Sequence, residues 1–256
     1  MDQQHPSPSR WAIVLAGGEG TRMQPLVHRW LGFNRPKQYC AFVGSRSMFQ
    51  HTVDRAALVT APERIVAVVG RDHRDEILTQ LQGRTIGQVI YQPRNCETAA
   101  GLFLPLTYIH ARAPGATVVI FPSDHFIPPE DRFLAAVCRI AELAETMPDR
   151  LVLLGIRPDR LEMEYGWILP GAALSSQEDA PLCEVHSFME KPNRIQAVKA
   201  FRHGALWNTF VFAAQAELLW QVGTRCFPDV MRRFERLRSV IGQSQEAEVL
   251  DAIYED

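Results

Sequence analysis

The sequence predicts an α/β fold, a mostly parallel mixed sheet flanked by helices. Two observations predict it. Between residues 11 and 156, short apolar runs bounded by Gly, Pro or charge alternate with amphipathic stretches of helical length. Several of these runs are rich in Val or Ile and do not alternate with polar residues, which is the pattern of strands buried on both faces of a parallel sheet.

In chain order, Trp11–Leu15 is the first such run and stops at Ala16, Gly17 and Gly18, as a buried strand ending in a tight loop does. Ile65–Val69, Val89–Tyr91, Val118–Phe121 and Leu151–Ile156 follow. Between them, Met48–Leu58, Asp72–Leu81, Thr98–Ala113 and Glu130–Thr146 carry helical periodicity. After Ile156 the rhythm changes. Tyr165–Leu169, Val185–Met189 and Trp207–Ala213 read as strands added to the sheet, with one short helix, Ile195–His203, among them. From Ala216 onward the chain reads as helices broken at Pro228. Residues 1–10 read as a flexible polar tail and 11–256 as one domain, since no repeat or low-complexity linker divides them.

Composition excludes several classes. With 46% hydrophobic and 22% charged residues and a net charge of -2, the chain is neither disordered nor built for nucleic acid. Its densest basic stretch, Arg232–Arg238, is interrupted by Phe234, Glu235 and Leu237 and suits a solvated helix face. The five cysteines are odd in number and never form a CxxC pair, so reduced thiols and a cytoplasmic location are expected, with neither a disulfide framework nor a zinc site. Met1–Arg10 is polar and Pro-containing with no apolar core, unlike a signal peptide, and no run of about 18 apolar residues suggests a membrane span. The histidines share no metal-ligand spacing, and association into a homo-oligomer is left open.

The chemistry begins at Gly17-Gly18-Glu19-Gly20-Thr21-Arg22, directly after the first strand. Glycines there let backbone N–H groups approach phosphate oxygens without side-chain obstruction. The loop lacks the Gly-Lys-Ser/Thr of a Walker loop, and Met23 stands where a dinucleotide fingerprint needs its third glycine. Arg22 closes the loop, and Lys37 follows in Arg35-Pro36-Lys37-Gln38-Tyr39. Two cations beside a glycine loop can hold a polyphosphate, the Arg as a planar fork and the Lys as a point charge.

The stretch AGGEGTRMQPL followed by RPKQY resembles the signature of the sugar nucleotidyltransferases, and later segments extend the resemblance over most of the chain. Phe121-Pro122-Ser123-Asp124-His125 resembles the family's PSDH segment, Glu164–Ile168 its YGYI, Phe188–Pro192 its FxEKP, and Trp207-Asn208-Thr209 the start of its WNSG. The Gln after PK, the PSDH and the WN point to the mannose-1-phosphate guanylyltransferase branch.

The resemblance implies a Rossmann-like fold of the glycosyltransferase-A type. The implied reaction passes the nucleotidyl group of a nucleoside triphosphate, GTP by preference, to a sugar 1-phosphate, mannose 1-phosphate by preference, yielding an NDP-sugar and pyrophosphate. Ala16, Gly17, Gly18, Gly20, Thr21, Arg22, Lys37 and Thr98 would bind the nucleotide. Arg22, Lys37 and Asp124 would carry catalysis, with Asp124 holding Mg²⁺, while His125 shapes the turn because Mg²⁺ prefers oxygen. Gly166, Glu190, Lys191 and Asn208 would bind the sugar phosphate.

Three departures from the family pattern stand out. Gln92–Ala100 only partly resembles the RNTAPA segment, with Glu97 and Ala100 where Asn and Pro are usual, which bears on guanine selectivity. Phe210 stands where the family has Gly after WNS/T, which bears on the sugar pocket. Relatives continue past the segment corresponding to Ala252–Asp256, and a second metal-binding Asp lies in that continuation. A domain truncated at its C-terminus, a substitute carboxylate such as Asp251, and nucleotide binding without efficient turnover are the three readings of that departure. The competing functions are a cytidylyltransferase or another sugar nucleotidyltransferase, and a non-catalytic nucleotide or nucleotide-sugar binding module.

Overall fold

A computed structural model describes residues 9–175 and 181–255. The chain forms an eight-stranded mixed sheet with helices, and its contacts gather into two compact units, Met1–Val152 with Phe212–Asp256, and Leu153–Val211. The sequence gives no sign of this division because both crossings, after Val152 and at Phe212, fall inside strands instead of a Gly- or Pro-rich linker.

The first unit contains β1 (Arg10–Ala16), β2 (Ile65–Gly70), β3 (Gln88–Gln92) and β4 (Thr117–Pro122), all parallel and ordered β3-β2-β1-β4. The last residues of β8 (Leu206–Gln215) pair antiparallel with β4, from Thr117 opposite Gln215 to Ile120 opposite Phe212. Ile65 to Val69 and Thr117 to Phe121 are buried without interruption, which is why these runs lack polar alternation. The helices of this unit are α1 (Gln24–Leu31), α2 (Met48–Ala56), α3 (Arg74–Gln80), α4 (Glu97–Arg112), α5 (Glu130–Thr146), α7 (Ala216–Cys226), α8 (Pro228–Val240) and α9 (Glu246–Ile253), with α6 (Arg194–Arg202) left to the second unit.

The expected strands and helices are present, with corrections at Arg10, at α1 and at the start of the strand expected from Tyr165. Arg10, assigned to the tail, begins β1, is 8% exposed, and is held by Glu145 through Nε at 2.7 Å; residues 1–8 of that tail lie outside the described residues. Helix α1 is not among the expected elements; its first three residues, Gln24–Leu26, fall in the glycine-loop signature. Pro25 in its first turn and Gly32 just past its end, at φ 82°, are the start and stop signals that mark it. Helix α2 opens on a reciprocal cap: Gln50 N–H donates to Ser47 Oγ at 3.1 Å, and Ser47 N–H donates to Gln50 Oε1 at 3.0 Å.

Asp54 on α2 gathers two arginines. Arg84 donates through Nε at 2.7 Å and Nη2 at 2.9 Å, and Arg46 donates at 2.8 Å. Burial alone would raise the Asp54 pKa, and the hydrogen bonds from Arg84 and Arg46 outweigh it, leaving the carboxyl below its ordinary 3.8. A folded-state pKa that is depressed means that the unfolded chain takes up the proton first as pH falls. The stabilisation is therefore complete above the ordinary carboxylate value and is lost below it. The urea midpoints of the wild type and Asp54→Asn should differ clearly at pH 7 and draw together as pH falls below the ordinary carboxylate value.

The second unit contains β5 (Val152–Ile156), β6 (Trp167–Ala173), β7 (Cys183–Met189), α6 and the first residues of β8. Strand β6 pairs antiparallel with β7 and with β8, placing Trp167 opposite both Met189 and Trp207. Its core is small: Trp167, Ala197, Ala200 and Ala205 are buried, with Leu169, Met189 and Trp207 packed against them. Strand β6 starts two residues later than the apolar run suggested, leaving Tyr165 and Gly166 in the preceding loop. No helix among the described residues is long and apolar enough to cross a membrane.

Candidate functional site

Each unit carries one cluster of the residues singled out by sequence. In the first unit, β1 and β4 run in register, Leu15 opposite Pro122, so Gly17 and Ser123 leave neighbouring strands at the same sheet edge. The carboxyl ends of parallel strands are where open α/β sheets bind ligands. Ser123 ties the two loops together, donating to Leu15 O through its N–H at 3.1 Å and its Oγ at 2.6 Å.

Gln38, buried to 3% exposure, shapes the glycine loop from below. Its Nε2 donates to Ala16 O at 3.0 Å and to Gly18 O at 2.7 Å. Because trans peptide groups point C=O and N–H in opposite directions, the amides of Gly17 and Glu19 face away from Gln38. Both residues line a cavity of about 450 Å³ whose walls also include Arg35, Gln92 and Arg94. Gly20 has φ 63°, and a Cβ there would lie 3.0 Å from the Lys37 backbone nitrogen, so a side chain is barred by both conformation and space. Thr21 and Arg22 follow on an exposed 3₁₀ turn. Thr98 sits exposed in the first turn of α4, beyond the Gln92–Asn95 stretch that lines the cavity.

Lys37 Nζ lies 2.6 Å from Asp124 Oδ2. Burial works to raise the Asp124 pKa, but the charge of Lys37 outweighs it and holds the carboxyl below the usual carboxylate range. Burial lowers the pKa of the neighbouring His125 imidazole against the pull of Asp124. Among the described residues, no group of three or more His, Cys, Asp or Glu side chains gathers in a metal-binding arrangement. Asp251, the candidate substitute ligand, lies on α9 in an ion pair with Arg71.

In the second unit, Gly166, Glu190 and Asn208 converge. Asn208 N–H donates to Gly166 O at 2.8 Å, and a Cβ on Gly166 would lie 2.9 Å from Glu190 Oε2 and 3.4 Å from Asn208 Cβ. Lys191 Nζ is 3.9 Å from Glu190 Oε1, and both side chains are exposed. Asn193, directly after the Glu190–Pro192 turn, caps α6 reciprocally with Gln196 and fixes where that turn ends. Among the described residues, the two non-glycine residues with left-handed backbone are Lys191, φ 42°, and Phe210, φ 56°. Both border this cluster, and such conformations cost about 1–3 kcal/mol and concentrate at functional sites. The turn at Phe210 sends its N–H to Asn208 Oδ1 at 3.0 Å, which commits the amide oxygen and leaves the Nδ2 edge to donate.

The left-handed turn gives a physical reason for glycine at this place in the WNS/T pattern. Phe210→Gly and Phe210→Ala remove the ring equally, but only glycine adopts φ 56° without cost. We expect Phe210→Gly to be more stable than Phe210→Ala by about 1–2 kcal/mol in urea unfolding.

Gln38, Ser123 and the two caps were not assigned roles from sequence. Gln38 was noticed only as part of a motif. A buried Gln two residues after a Pro turn has no signature apart from the loop it supports.

A family model described as nucleotidyl transferase matches residues 11–234. The mannose-1-phosphate guanylyltransferase of Escherichia coli K12 is 29% identical over 236 residues, covering 90% of this chain and 48% of that protein. The xanthan biosynthesis protein XanB of Xanthomonas campestris pv. campestris strain B100 is 33% identical over 207 residues, covering 80% of this chain and 42% of that protein. The chain spans about half the length of the curated relatives it matches. Among solved structures, one described as mannose-1-phosphate geranyltransferase from Thermus thermophilus superposes with a TM-score of 0.78 at 28% identity, covering 95% of this chain and 68% of that one. A putative glucose-1-phosphate thymidylyltransferase from Bacillus anthracis shares the fold, at a TM-score of 0.60 and 14% identity, covering 96% of each chain.

Proposed function

The chain belongs to the nucleotidyl transferase family, and within it we propose that it transfers a guanylyl group from GTP to mannose 1-phosphate, releasing pyrophosphate and forming GDP-mannose. The observation that carries this reading is the Lys37–Asp124 pair, 2.6 Å apart, beside a glycine loop held open by Gln38. The likeness to curated mannose-1-phosphate guanylyltransferases supports the choice of substrates.

In this reaction an oxygen of the sugar phosphate attacks the α-phosphorus in line, and the bond to pyrophosphate breaks. No covalent intermediate on the protein is needed, so rate comes from positioning and charge. The Gly17 and Glu19 amides would meet phosphate oxygens, Lys37 would balance the charge growing around the α-phosphorus, and Arg22 would accompany the departing pyrophosphate. In the second unit, Lys191 would hold the sugar phosphate group, Glu190 would accept from sugar hydroxyls, and Asn208 would donate to a sugar oxygen. Asp124 fits Mg²⁺, an ion commonly bound by one or two carboxylates together with substrate phosphates. When bound there, Mg²⁺ would supply charge neutralisation to the triphosphate.

The direct test offers the protein Mg²⁺, each common ribonucleoside triphosphate, and mannose or glucose 1-phosphate, and follows pyrophosphate. GTP-dependent release with mannose 1-phosphate, lost in Lys37→Ala, supports the reading. Turnover with CTP alone would reassign the base, and nucleotide binding with no release in any combination would make this a binding module. Replacing Lys191 by Met should raise KM for the sugar phosphate by ~10- to 100-fold while leaving nucleotide affinity within twofold, because one charge-assisted phosphate contact is worth about 1.5–3 kcal/mol.

A further inference from the structure

Helix α2 buries a cation that the reaction scheme above does not use. Arg55 is 3% exposed, and its guanidinium lies over the Phe133 ring, 5.8 Å from the centroid. Its Nη2 donates to Thr52 Oγ1 at 2.8 Å and to the backbone oxygen of His125 at 3.2 Å, while Nη1 stands 3.5 Å from the half-exposed Glu130. Its Nε has no partner among the described residues. Burial pushes its pKa down, against the attraction of Glu130.

Such a residue makes little sense as a stabilising device. An incompletely paired buried cation carries a desolvation penalty that a hydrophobic residue of similar volume would avoid. Its contacts indicate what it accomplishes. The carbonyl it grips belongs to the residue immediately after Asp124, while the residue immediately before, Ser123, is fixed by two hydrogen bonds to Leu15 O. Asp124 is thus held at both backbone neighbours, and its carboxylate then meets Lys37 at 2.6 Å. With Arg55 removed, the descending limb of the loop loses its side-chain anchor and the carboxylate gains freedom to leave Lys37.

We propose that Arg55 is a positioning residue that acts through the His125 carbonyl to hold Asp124 in register with Lys37 and the triphosphate. The catalytic part of this proposal rests on the nucleotidyl-transfer reading, whereas the anchoring part does not.

The test uses Arg55→Met, which keeps volume and loses the donors, and Arg55→Lys, which keeps charge and loses the fork. Three readouts on the full chain separate the outcomes. Arg55→Met should melt within a few degrees of wild type or above it, yet its amide hydrogen exchange at residues 124–126 should quicken by at least tenfold. Its kcat should fall ~10- to 100-fold with KM for the sugar phosphate within threefold, and Arg55→Lys should recover part of the loss. The same change in an Asp124→Asn background should cost less than threefold further, since two residues acting as a unit are not additive. Equal losses with and without Asp124, or unchanged exchange, would overturn the proposal. A wild-type protein without turnover would fail the transferase reading, and the exchange measurement would still decide the anchoring.

Discussion

Replacing Lys37 with alanine should lower kcat for pyrophosphate release by ~10²- to 10³-fold, the usual cost of removing one preorganised electrostatic group from an active site. Two consequences of the deletion act together. The triphosphate loses a point charge, and Asp124 loses the cation 2.6 Å away that keeps it ionised against burial. Without Lys37, the largest opposition to burial is gone and the carboxyl titrates at higher pH than in the wild type, so the acid limb of the rate profile should move upward in the variant. Lys37→Arg should recover little, because a planar fork does not substitute for a compact ammonium at this distance. A pH–rate series on the wild type and both variants checks the magnitude and the direction. A Lys37→Ala enzyme within threefold of wild type would remove Lys37 from the chemistry.

Trp167→Ala should produce the largest loss of stability, about 3–5 kcal/mol, the range for truncating a fully buried aromatic residue. Trp167 is fully buried, and the other buried residues of its core are three alanines, too short to fill the space it would leave, with Leu169, Met189 and Trp207 packed only at the margin. Its indole N–H donates to Glu162 O at 2.8 Å and thereby steadies the loop leading to Gly166. Because the lost packing belongs to the second unit, sugar-phosphate affinity should fall steeply while nucleotide binding survives. Urea unfolding combined with calorimetric titration of each ligand measures both. Equal weakening of the two ligands would show that the damage is not confined to the second unit.

The parallel strands of the first unit were legible because strands buried on both faces tolerate few polar residues, and Val66–Val69 and Val118–Phe121 are short, unbroken apolar runs with Gly or Pro directly after them. The second unit was less legible. Strand β7 exposes Glu184 through Phe188, so no alternating apolar face marks its beginning at Cys183. Within the candidate site, the charged and glycine residues were readable, since Gly20, Lys37 and Asp124 belong to types that few other roles demand in such spacing. The supports were not. Gln38 and Arg55 are polar residues in ordinary helical or turn contexts, and their roles depend on backbone oxygens contributed by Ala16, Gly18 and His125. Such partners carry no sequence signal, because every residue has a carbonyl. The left-handed turn at Phe210 was hidden for the opposite reason, since a bulky aromatic residue argues against the conformation it adopts.

Strand β4 pairs on one side with β1, made earlier in the chain, and on the other with Phe212–Gln215, which is complete only 93 residues after Pro122. On a ribosome adding about 5–20 residues per second, that partner emerges roughly 5–20 s later. Throughout that interval the run Val118–Phe121, wholly buried in the finished protein, would present an unpaired apolar edge to other nascent chains. The interleaved order of the two units therefore makes synthesis, more than the mature state, the stage at which this protein is exposed to aggregation. Slowed elongation between residues 122 and 215, or loss of chaperone capacity, should reduce soluble yield far more than comparable stress applied after release.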